Sequence, residues 1–186
     1  MKEINPLLKS YALFGVLFTF IIGSAFHFIY ELTGYATLAS YFFPVNESVW
    51  EHLKLGFYAW LLYGFANYFI LMDKGNNYWF AIWLASFIGN LFIVIFFYTY
   101  TGIIGHSILA LDIASYLISC MIGAYVFYKI LVQPPLSSYI KALGILLLVL
   151  TGCIFAIFTC TPPKLPIFQD LSIVKTITST AIPKTV

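Results

Sequence analysis

The sequence predicts an all-α fold, a polytopic membrane helix bundle of about five transmembrane helices at about 20 apolar residues per span. Three observations predict it. Of 186 residues, 62% are hydrophobic and only 9% are charged, against about 25% charged in an ordinary soluble domain. The chain cannot cover a globular surface with polar groups. Mean hydropathy is +0.96. Aromatics reach 20%, and many Tyr and Trp residues fall near the ends of apolar runs, where amphipathic rings meet the membrane–water interface.

Five apolar segments qualify as spans, over residues 11–32, 48–72, 78–100, 103–129 and 138–160. Each break has a local cause. Thr33-Gly34 ends the first segment, and Asp73-Lys74-Gly75-Asn76-Asn77 is a polar turn between the second and third. Thr101-Gly102 separates the third from the fourth. Gln133-Pro134-Pro135 and Thr161-Pro162-Pro163 close the fourth and fifth, because proline has no N–H for the helix ladder. Short connections make consecutive helices antiparallel neighbours. Residues 1–160 therefore form the bundle. Residues 161–186 form a Pro-containing tail that lies across the outer surface or caps the bundle.

Lysine distribution sets the expected orientation. Lys2, Lys9, Lys74, Lys129 and Lys141 fall on the N-terminal side, with Lys54 and Lys164 near the membrane on the other and Lys175 and Lys184 farther along the tail. A multipass protein of the cell membrane follows, with a cytoplasmic N-terminus and an extracytoplasmic C-terminus. The first apolar stretch exceeds the usual signal-peptide length of about 7–15 residues, so an uncleaved first helix is expected. All nine basic residues are lysine. Without Arg forks or a basic cluster, nucleic acid is not an expected partner. Cys120, Cys153 and Cys160 show no CxxC spacing and read as small packing residues.

The functional signal is a set of ionisable residues on one side. His27, Glu31, Glu47, Glu51, His52, His106 and Asp112 all map to the outer half of this topology. Ionisable groups at membrane depth are costly and usually partnered and functional. The segment Val45-Asn46-Glu47-Ser48-Val49-Trp50-Glu51-His52 enters the second helix. Part of it is explained by capping, either by Asn46 with Glu47 at the dipole or by Ser48 with Glu51 in a capping box. Neither cap explains Glu47, Glu51 and His52 together. On the first helix Ser24, His27 and Glu31 share a face; on the fourth, Asp112, Ser115 and Ser119 do. In the third helix Ser86 and Asn90 share a face suited to interhelical hydrogen bonds.

The stretch Phe42-Phe43-Pro44-Val45-Asn46-Glu47-Ser48-Val49-Trp50-Glu51-His52-Leu53-Lys54, preceded by His27-Phe28-Ile29-Tyr30-Glu31, resembles a family of small uncharacterised bacterial multipass membrane proteins. Pro162-Pro163-Lys164-Leu165-Pro166-Ile167-Phe168 is similar to that family's tail. In chemistry alone, the chain is similar to the membrane hydrolases that include alkaline ceramidases and adiponectin-receptor-like proteins. Those hold a zinc with three histidines beside an aspartate and a serine. This chain offers three histidines, Asp112 and Ser48, and departs from them in its number of helices and in lacking a histidine pair on the last one.

The leading expectation is metal-assisted hydrolysis of a lipid or lipid-linked substrate at the outer leaflet. His27, His52 and His106 would hold zinc, the metal that such donors suit. Glu51 or Glu47 would be the general base, with Glu31 and Asp112 orienting ligands. The alternatives are an ion- or proton-coupled small transporter and a non-catalytic membrane assembly partner.

Overall fold

The computed structural model describes residues 6–172. Among them the regular elements are helical throughout: α1 (Pro6–Phe26), α2 (Ile29–Leu32), α3 (Thr37–Ser40), α4 (Val49–Leu71), α5 (Tyr78–Ile104), α6 (Leu109–Leu131) and α7 (Ser138–Cys160), then a 3₁₀ turn at Pro166–Phe168. Lys2, Lys175, Lys184 and the tail beyond Ser172 lie outside the described residues.

The ends of the helices follow from their residues. Pro6 opens α1, where a missing N–H removes nothing from the ladder. Ser48 caps α4, its Oγ accepting from the Glu51 N–H at 3.3 Å. Gly105 at φ 88° closes α5, a left-handed conformation that glycine takes without strain. The third apolar segment thus runs through Thr101-Gly102 to Ile104, later than expected. Asp112 in the first turn and Lys129 in the last suit the dipole of α6.

Helices α1, α4, α5 and α6 close a four-membered ring, α1 on α4, α4 on α5, α5 on α6 and α6 back on α1. Helix α7 packs outside the ring, chiefly against α5. Aromatic side chains from α4 fill the centre, with Phe57, Trp60 and Tyr63 packed with Phe127 of α6 and Ala81, Ile82 and Ala85 of α5. Small residues let the helices approach. Trp60 lies against both Gly15 of α1 and Gly123 of α6, and Gly89 of α5 against the Ser119 carbonyl of α6.

The outside is apolar. On α1 the buried positions are Leu8, Ala12, Gly15, Thr19 and Gly23, while Leu13, Leu17 and Ile21 face outward. Small residues inside and large apolar ones outside mark a bundle solvated by lipid. Helices α1, α5, α6 and α7 are long and apolar enough to cross a membrane. Helix α4 matches α6 and α7 in length at 23 residues, but it is not among those four, so the expected five spans become four by composition. The reason is its composition. It carries Glu51, His52, Lys54 and Asn67 as well as apolar residues, and more of its residues are buried than in the other helices, although Leu62, Phe65 and Phe69 face outward. The protein is a helical membrane bundle with one less apolar helix in its ring.

At the end opposite the first loop, Asn77 ties two connections together. Its Nδ2 donates to the carbonyls of Ile130 and Pro134, and its Oδ1 accepts from Leu136 N at 2.8 Å.

Candidate functional site

His27, Glu47 and His52 meet at the end of the bundle where α1 stops and α4 begins. The His27 and His52 Nε2 atoms are 3.1 Å apart. Glu47 Oε1 is 3.5 Å from His27 Nε2, and Oε2 is 3.5 Å from His52 Nε2. All three side chains are partly exposed. Their convergence depends on two breaks in the chain. Helix α1 ends at Phe26, so His27 occupies a turn rather than a helix. The Ser48 cap holds Glu47 just outside α4 and His52 one turn inside it.

His52 Nδ1 lies 2.8 Å from the Ser48 carbonyl oxygen. A carbonyl only accepts, so the neutral ring carries its proton on Nδ1 and leaves the Nε2 lone pair facing His27 and Glu47. This is the arrangement that orients a metal-binding histidine. Ligand atoms about 2.0–2.1 Å from a tetrahedral zinc stand about 3.3 Å from each other, close to the separation of the two histidine nitrogens, while Glu47 faces each of them with a different oxygen. His27, Glu47 and His52 are the group among the described residues with donors placed to share a cation.

These residues form one wall of a cavity of about 530 Å³. Asp112, Ser107, Ser24, Ser115 and Tyr116 supply its other polar lining. Asp112 Oδ1 accepts a hydrogen bond from the Tyr100 hydroxyl, whose own oxygen accepts from Ile108 N at 3.2 Å. Tyr116 donates to the Thr19 carbonyl at 2.8 Å, which fixes the ring across the α1–α6 seam. Leu171 and Ser172 reach the same cavity from the segment after α7.

The sequence expectation of a joint His27, Glu51, His52 and His106 site is corrected at two positions. His106 is exposed and does not line the cavity. Because α5 runs on to Ile104 and α6 starts at Leu109, His106 sits in the connection between them rather than on α6. Glu51 points away from the histidines. Its Oε2 accepts from Lys54 Nζ at 2.7 Å and Val45 N at 3.0 Å, and its Oε1 from Thr159 Oγ1 of α7 at 2.9 Å. Lys54 is 0% exposed and Glu51 2%. Lys54 also donates to the Ser40 and Phe43 carbonyls. The pair therefore clamps the first loop to α4 and α7. The expected orienting role of Glu31 also meets a geometric obstacle. The break at His27–Phe28 interrupts the i, i+4 register, and Glu31 is exposed on α2.

The capping box forms by half. Ser48 caps, but the Ser48 N–H goes to Asn46 Oδ1 at 2.9 Å while Glu51 turns to Val45. Trp50 packs on Phe155, Phe158 and Phe168, which draws the 3₁₀ turn onto the bundle. Asn90 of α5 does bond across helices, to the Leu53 carbonyl of α4 at 2.9 Å, whereas Ser86 bonds its own helix.

Sequence reading missed Tyr100 and Lys54. The Lys54 pairing had a signal, the i, i+3 spacing from Glu51. The Tyr100–Asp112 contact spans the α5–α6 connection, and nothing in its spacing announces it.

A helical membrane bundle with a polar cavity at one end is the class of protein this arrangement defines. Residues 1–176 match DUF6512, a family of unknown function, and the chain belongs to that family. Neither a curated protein nor a solved structure matches the chain.

Proposed function

We infer that the protein is a zinc-dependent membrane hydrolase acting on a lipid or lipid-linked substrate. The observation that carries this reading is the convergence of His27, Glu47 and His52, with the His52 tautomer set by the Ser48 carbonyl. His27, His52 and Glu47 would hold the ion. Zinc lowers the pKa of water to about 7 and so supplies a nucleophile at neutral pH. Asp112 is the remaining carboxylate on the cavity wall, since Glu51 is engaged by Lys54. In hydrolysis the water oxygen bonds to the substrate's carbonyl carbon and the bond to the leaving group breaks. Asp112 would carry a proton from the water to that leaving group, with Tyr100 holding the carboxylate in place. The site would face the outer leaflet of the cell membrane, with the N-terminus cytoplasmic.

The test is elemental analysis of the purified chain. About one zinc per chain is expected, falling severalfold in His52→Ala and in His27→Ala and little changed in His106→Ala. A chain free of zinc after purification in zinc-supplemented buffer would defeat the reading. One observation favours a second reading, a non-catalytic assembly partner. His27 Nε2–H donated to the His52 Nε2 lone pair, with Glu47 Oε1 sharing that proton, also accounts for the His27–His52 and His27–Glu47 contacts without an ion. That reading expects no zinc, and it expects His27→Ala to lower the melting temperature by as much with a chelator as without.

A further inference from the structure

We propose that the cavity selects amphiphiles with an uncharged polar head and an apolar chain, and excludes phosphorylated lipids. This rests on reading the cavity as the substrate site, and it names the substrate class.

The cavity lining is of two kinds. His27, Glu47, His52, Ser107 and Asp112 gather polar groups, while Val49, Leu55, Ile93 and Phe97 supply an apolar wall from α4 and α5. Its rim lies on the flank of the bundle. Phe28, Leu109 and Ile113 line it and are 60%, 72% and 51% exposed. These rim side chains flank the α1–α6 seam and face the same surroundings as the apolar exterior of α1. A ligand entering there arrives from the bilayer with its chain still in apolar surroundings, and its head reaches the histidines.

The charges settle which heads are accepted. Phosphate recognition relies on Arg forks, Lys, or a free helix N-terminus. The chain has no arginine. Among the described residues no lysine lines the cavity. The closest in sequence to the trio, Lys54, is buried and committed to Glu51, Ser40 and Phe43. The N-terminus of α6 does open on the cavity, through Leu109, but Asp112 in its first turn already places a carboxylate there. Glu47 supplies a second. A zinc held by the trio would bring two positive charges that Glu47 and Asp112 together offset, so no net positive charge is left to draw a phosphate, whereas a hydroxyl or amide N–H of an uncharged head finds an acceptor in Asp112.

The test uses the full-length chain in lipid nanodiscs. The probes are a photoreactive monoacylglycerol and a photoreactive lysophosphatidate with the same chain. The neutral probe should label peptides containing Phe28 or Ile113 saturably, at least tenfold more than the phosphate probe. Asp112→Asn should narrow that gap. Ile113→Trp, a change at an exposed rim position, should cut neutral labelling severalfold. Equal or stronger saturable labelling by lysophosphatidate would overturn the proposal. Neutral labelling no greater at these peptides than along α7 would overturn it too. Zinc content separates the two readings. Selective labelling of a zinc-free chain keeps the amphiphile proposal and removes the hydrolase. Zinc with phosphate-preferring labelling does the reverse.

Discussion

Glu51 and Lys54 show how a pair that resembles catalytic machinery serves the fold instead. Both are buried, and each oxygen and N–H that can be traced has a partner on the loop, on α4 or on α7. Removing one member leaves the other charged and unpaired, at a cost of about 3–5 kcal/mol. Glu51→Gln should therefore lower thermal stability sharply, and Glu51→Gln combined with Lys54→Met should recover much of the loss. Unfolding of the detergent-solubilised variants measures this, and a stable Glu51→Gln that loses only activity would restore Glu51 as a base. Asp112 should behave in the opposite way. If a lipid ester is cleaved, Asp112→Asn should reduce turnover at least tenfold while leaving zinc content near one per chain. Imidazole binds metal only when deprotonated, so acidification should release the zinc. Elemental analysis at successively lower pH measures this, and a zinc content that does not fall before the chain unfolds would argue against histidine ligands.

Helix α7 is held by a small-residue contact near its start and by polar clasps farther along. A Cβ built on Gly144 falls 2.6 Å from the Phe80 backbone nitrogen and 2.7 Å from its Cα. Backbone cannot move aside as a flexible side chain does. Gly144→Leu should push α7 off α5, at a cost of about 1–3 kcal/mol or more. At the far end, Thr159 reaches Glu51, and Trp83 Nε1 donates to Thr151 at 3.2 Å. Limited proteolysis should cut Gly144→Leu in the connection at 132–137 well before the parent chain. Equal protection of both would mean that α7 is held by its clasps alone. Helix α4 differs in kind. Its polar entry turn supplies His52 to the trio and Lys54 to the clamp, so one helix start both anchors the loop and builds the cavity wall.

For the molecule as a whole, the side of the membrane that the cavity faces decides which substrate pool it meets. Described positions allow a direct test. Single cysteines at Asn76 and Lys164, in a background lacking Cys120, Cys153 and Cys160, sit at opposite ends of the bundle. In intact cells an impermeant thiol reagent should label position 164 and spare position 76. The reverse pattern would move the cavity to the inner leaflet.

Much of this was written locally. Apolar segments of spanning length, with prolines and glycines between them, determined an all-helical membrane bundle, because hydropathy and backbone-breaking residues act through near neighbours. Its histidines and most of its carboxylates gather at one end for the same reason, since alternating helices return to the same side. Tertiary structure alone decided which of them meet. The break at His27–Phe28 swung Glu31 away, the extension of α5 to Ile104 stranded His106 in a loop, and the burial of Lys54 claimed Glu51. Each outcome turned on where a helix stopped or which buried charge needed a partner. Those are properties of the assembled bundle, and residue spacing along one helix does not contain them.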